Sequence, residues 1–171
     1  VRDVKLIGDP QAVGDVVALD EDATATVDVL ANDLVFGTTV VITKRDGVYS
    51  CSCGGIAYVG VFNYPGGNYP PAYYKPALVF YNMLGSGNEK AVAEAISHEA
   101  GHNMGLSHDG SSTASYYGGH GSDPVTAWAP IMGVGYYKEV TQFSKGEYTG
   151  ANNTEDDTAK IATFIPRSPD F

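Results

Sequence analysis

The sequence predicts an α+β domain, and three observations carry that prediction. Short apolar runs at 38–43, 55–62 and 77–81 read as strands and precede one helical stretch opened by Asn88. A glycine-dense tract from 105 to 135 keeps neither a helical nor a strand period. Two capped segments, near 144 and 154, then bring helix back toward the end. At 171 residues the chain is long enough for one domain with a real core.

Taken in order, residues 1–33 stand apart, being acidic and free of aromatic side chains. Within them Ala23–Leu30 alternates apolar and polar positions, which predicts one half-buried strand. The run from Thr38 to Thr43 is β-branched and ends at the turn signal Lys44-Arg45-Asp46-Gly47. Gly55–Phe62 is expected as a second strand and Ala77–Tyr81 as a third, with a Pro- and Gly-rich loop from Asn63 to Pro76 between them. Asn88 is a helix cap, Glu89 favours the first turn, and Val92, Ala95 and Ile96 give the apolar side. That helix is expected to run into His98. Ser144–Glu147 predicts a capping box opening a short helical segment. Thr154–Asp157 predicts another, opening a terminal helix to about Phe164, with Pro166 ending it.

Composition excludes several functions. A net charge of −10 and a pI near 4.6, without a basic block, argue against nucleic acid. With 43% hydrophobic and 18% charged residues the chain is not a disordered one. No apolar run approaches the roughly 20 residues of a membrane span, so no membrane partner is expected. The chain begins at Val1 without a signal-like stretch and reads as a processed form. Cys51 and Cys53, one residue apart, are expected as free or buried thiols, with a local disulfide as the alternative.

The chemistry concentrates in His98-Glu99-Ala100-Gly101-His102-Asn103-Met104-Gly105-Leu106-Ser107-His108-Asp109, which holds three of the chain's four histidines. Helical residues four apart lie about 40° apart around the axis and about 6 Å along it, so His98 and His102 can meet on one metal ion. Gly105 is where the helix should stop, because glycine enters the left-handed conformation without steric cost. The chain can then turn and bring back His108. Three imidazoles with a position left open describe a catalytic zinc site rather than a structural one.

This run resembles the extended zinc-binding signature of the metzincins, and Asp109 resembles the reprolysin (adamalysin-like) branch. Trp128–Val134 is similar to the Met-turn, with Met132 as the methionine, and Gly55–Gly60 is similar to the strand above the cleft. The resemblance implies a metzincin catalytic domain over 34–171, with a twisted mixed sheet, a zinc-binding helix, an irregular lower subdomain and a C-terminal helix. It also implies a secreted zinc metalloendopeptidase acting on protein or peptide, and a monomer. One zinc would be held by His98, His102 and His108, with Glu99 as general base toward a zinc-activated water. Met132 would pack beneath the metal without ligating it. Two departures stand out. Val134 occupies the position where astacins and serralysins carry a ligand tyrosine, and residues 1–33 do not read as the usual opening strand and backing helix.

Other features weigh less. Asp109 is a candidate brace behind the ligands, or a simple turn residue, and Tyr136 and Tyr137 are candidates for a substrate pocket wall. His120 is expected as an exposed loop residue. Asn152, Asn153, Glu155, Asp156 and Asp157 could hold calcium but lack the spacing of a calcium loop, and helix capping explains them better. The alternative to an enzyme is an inactive or weakly active zinc-containing peptide-binding module of the same fold. Residues 20–33 also resemble the opening of bacterial cadherin-like repeats, but so short a piece cannot form a sandwich.

Overall fold

The computed structural model describes residues 4–5, 37–65, 71–123 and 125–165. The strand expected at 23–30 and the terminating Pro166 lie outside them. A mixed sheet comes first, built from β1 (Val4–Lys5), β2 (Thr39–Thr43), β3 (Gly55–Ile56) and β4 (Pro76–Phe80) in the order β1-β2-β4-β3. β2 and β4 run parallel with Val40 beside Ala77, while β1 and β3 are antiparallel to their neighbours. β3 is therefore an edge. A one-turn helix, α1 (Pro71–Tyr74), enters β4 and a 3-10 turn leaves it.

The long helix α2 (Glu89–Asn103) crosses this sheet. Asn88 caps it by accepting the Ala91 N–H at 3.0 Å, as the sequence predicts. Ala91, Ala95 and Ala100 are its buried apolar residues, and they form one core cluster with Val40, Ala77, Val79 and Leu84. Val92 and Ile96 only edge that cluster. Alanines on the inner face let the helix lie close to the sheet, which brings Glu99 onto β3. Gly55 makes the fit possible, since a Cβ there would stand 2.6 Å from Glu99 Oε1.

β3 is shorter than expected. Past Ile56 the chain leaves β4, because its backbone donors go to the end of α2 instead. Gly60 N–H donates to His102 O at 2.9 Å and Phe62 N–H to Asn103 O at 3.0 Å. Asn103, fully buried, reinforces the docking by donating to Tyr58 O. Cys51 and Cys53 are joined by a disulfide, against the expectation of free thiols. Their Cα atoms stand 5.4 Å apart, within the ordinary range for a bridge, because the chain bends at 51–52.

The lower half is mostly irregular, with a parallel pair formed by β5 (Trp128–Pro130) and β6 (Val140–Gln142). No helix opens at 144. Ser144 Oγ donates to Asp109 and Ser144 N–H donates to Asp157, so the residue ties loops together rather than capping. The last helix, α3, spans Asp157–Ile161, shorter than expected, and its cap is Asp156 rather than Thr154. No helix among the described residues is long and apolar enough to cross a membrane.

Candidate metal centre

α2 delivers His98 and His102 one turn apart, and its stop delivers His108. Gly105 takes φ +87°, its N–H donates to His102 O at 2.8 Å, and Leu106 N–H reaches back to Gly101 O at 3.0 Å. This pair of bonds is the Schellman stop, which only a left-handed residue can close without strain. Leu106 is fully buried beyond it, and the chain then rises into His108.

One ring nitrogen from each of the three histidines can be chosen so that all lie within 4.8 Å of one another, and no other such group occurs among the described residues. Nε2 of His102 and Nε2 of His108 are 2.9 Å apart. Backbone carbonyls hold the opposite nitrogens: His98 Nδ1 bonds Ile131 O and His102 Nδ1 bonds Leu106 O, each at 2.8 Å. A carbonyl can only accept, so both Nδ1 atoms carry protons and both Nε2 atoms present lone pairs. Burial keeps the rings neutral, pushing His98 down to about 4 and His102 and His108 below the usual histidine range. The donor set fits a zinc ion.

Glu99 sits beside the cluster with 7% of its surface exposed, and burial pushes its carboxyl up to about 7. A cavity of about 310 Å³ lies on one side, lined by Ile56, Val59, His102 and His108. A second, of about 240 Å³, lies on the other, lined by Gly54, Val134 and Tyr136. Both share Cys53, Gly55, His98, Glu99 and Tyr116, so one cleft passes along β3 with Glu99 near its middle.

Met132 is fully buried beneath α2, where a Cβ at Gly101 would meet its Sδ at 2.7 Å. Its carbonyl accepts the Asp109 N–H at 2.9 Å. The Asp109 carboxylate is wholly buried and accepts from Ser144 Oγ at 2.8 Å and Asn153 Nδ2 at 3.2 Å. Tyr136 is half-buried at the cleft, whereas Tyr137 is 85% exposed and lines a separate surface hollow with Met83. His120 is exposed, with Nδ1 3.2 Å from the Tyr117 hydroxyl. Asn152, Asn153, Glu155 and Asp156 all find protein partners, in caps and braces. Tyr116 also lines the cleft, and nothing in the sequence of its loop marks it apart from the neighbouring Tyr117.

Three neutral imidazoles converging beside a buried carboxylate, on an α+β scaffold, point to the zinc metallopeptidases as a class. Comparison with known families narrows this. Residues 18–109 match the model of metallo-peptidase family M12B, reprolysin-like, and the chain belongs to that family. Residues 82–164 match the model of peptidase M66, and the two matches overlap on 82–109, which holds all three histidines. No curated protein and no solved structure matches the chain.

Proposed function

We propose that the chain is a zinc-dependent endopeptidase working at the His98–His102–His108 centre, with Glu99 as its general base. One observation carries the reading: carbonyl-pinned imidazoles turn their lone pairs toward one point beside a buried carboxylate. The catalytic machinery lies within residues 34–171, while the segment 1–33 contributes β1 to the same sheet. Reprolysin-like proteins typically work outside the cell, and the Cys51–Cys53 disulfide suits such oxidising surroundings.

Zinc, when bound by the three histidines, supplies Lewis acidity that activates water and polarises a peptide carbonyl. The remaining work belongs to the chain. A substrate lies extended against the open side of β3 and adds main-chain hydrogen bonds to that edge. Glu99 accepts a proton from the attacking water and returns it to the departing amine as the C–N bond breaks. Asp109 braces the loop of the third ligand, Met132 fills the floor under α2, and Tyr136 walls one side of the cleft.

Casein digestion with and without a chelator, alongside metal analysis, tests the reading. We expect one zinc per chain and hydrolysis that stops on chelation and returns with zinc. Zinc bound without hydrolysis would leave a peptide-binding module, and a chain that binds no zinc would refute the proposal outright.

A further inference from the structure

Negative charge grows on the carbonyl oxygen as the peptide bond is attacked, and a hydrogen-bond donor in the cleft would share it with the metal. Five residues face both cavities beside the metal centre: Cys53, Gly55, His98, Glu99 and Tyr116. Cys53 is held in a disulfide, Gly55 brings no side chain, His98 spends its Nδ1 proton on Ile131, and Glu99 is engaged with the proton of the attacking water. Tyr116 brings the hydroxyl. Tyr136 also carries a hydroxyl but lines only the cavity of about 240 Å³, where Val134 is apolar.

We infer that Tyr116 is a catalytic residue of this centre, its phenol donating a hydrogen bond to the oxygen of the peptide carbonyl under attack. The assignment rests on the endopeptidase reading above. Its ring lies 4.3 Å from the His108 ring and 6.3 Å from the His98 ring, while 44% of the residue stays open to an incoming ligand. The backbone beside it is clamped on both sides. Tyr117 N–H donates to Asp109 O at 2.7 Å, and Tyr117 O accepts from Val134 N–H at 3.0 Å. Gly133 permits that approach, since a Cβ there would stand 2.5 Å from Tyr117 O. The Tyr117 ring stacks flat on Tyr148 at 4.0 Å. The backbone next to Tyr116 is thus fixed by the same segments that orient His98 and His108, with the Tyr116 ring against His108, and a donor fixed in place is an effective one. A phenol, titrating at about 10, keeps its proton at neutral pH and can donate it to an acceptor.

In the step itself, the water oxygen bonds to the carbonyl carbon and the C=O π pair moves onto oxygen. The water proton goes to Glu99, and the Tyr116 proton stays on the phenol as a hydrogen-bond donor. When the C–N bond breaks, the π bond re-forms, the amine takes the proton from Glu99, and Tyr116 is left unchanged.

Tyr116→Phe removes the hydroxyl and keeps the ring against His108. On a quenched-fluorescence peptide, we expect kcat to fall about 100-fold with KM changed by less than about threefold. Calorimetric affinity for a phosphinic peptide, which mimics the tetrahedral oxygen, should weaken by a similar factor, while zinc content and melting temperature stay at wild-type values. Tyr116→Ala serves as the control for the ring. If Tyr116→Phe keeps kcat and phosphinic-peptide affinity and only Tyr116→Ala suffers, Tyr116 is a wall and the inference is overturned. Zinc loss from Tyr116→Phe would overturn it too, by making the hydroxyl part of the metal site. A wild-type chain that neither cleaves peptides nor binds the phosphinic compound would overturn the endopeptidase reading beneath it.

Discussion

Glu99 occupies a position where packing and the proposed chemistry meet in one side chain. It follows the buried stripe of Ala91 and Ala95 down α2, yet it is the carboxylate that the cleft exposes at its middle. Glu99→Gln preserves shape and removes the ability to take a proton. Turnover should fall by about 100-fold or more, the usual scale of general-base catalysis, with zinc content unaltered. Steady-state kinetics beside metal analysis checks this, and activity within about tenfold of wild type would refute the role. At the same scale, His98, His102 and His108 were legible in the sequence because helix periodicity and a glycine stop set their geometry locally. Tyr116 was not, because its place depends on hydrogen bonds to Asp109 and Val134 through its neighbour. Gly101 belongs with it: only the packed molecule reveals the Met132 sulfur filling the space beside it.

Among the elements, α2 and its stop govern the site. Gly105→Ala forces a β-carbon into a left-handed residue, at a cost of about 1–2 kcal/mol. It also crowds Lys160, whose Cε lies 3.2 Å from where that carbon would sit. His108 should shift in response, and zinc affinity should drop about tenfold or more, as measured by competition with a calibrated chelator. Unchanged affinity would mean the turn does not control the third ligand. The strands of the sheet were readable from their β-branched runs, with boundaries near those expected for β2 and β4. The overreach lay at 57–62, where an apolar run serves the end of α2 instead of continuing the strand. Apolar alternation reports burial, and it does not say which backbone partner wins. The same competition explains 144–147, where Ser144 is claimed by two distant carboxylates before it can cap anything.

Across the whole molecule, those two carboxylates connect the ligand loop to α3. Asp109 and Asp157 are both fully buried and both bond Ser144, and Asp157 Oδ1 finds no hydrogen-bond partner among the described residues. Burial, with Asp109 nearby, raises the Asp157 carboxyl from 3.8 to about 7. The folded state therefore holds this proton more tightly than the unfolded chain does. The resulting stability is fully present below about pH 4 and is lost as pH rises toward about 7. In metal-free protein, the melting temperature of wild type should fall relative to Asp157→Asn across that window, and parallel curves would rule the linkage out.

The contact between Gly55 and Glu99 has a consequence for what this chain can become. The carboxylate fills the volume that any side chain at 55 would need, so the edge proposed to take substrate and the proposed proton acceptor share a single space. Natural drift can reshape Ile56, Val59 or Tyr136 and so retune which peptides fit the cleft. Position 55 has no such freedom: as long as Glu99 keeps its proposed place, its mutational alphabet holds one letter.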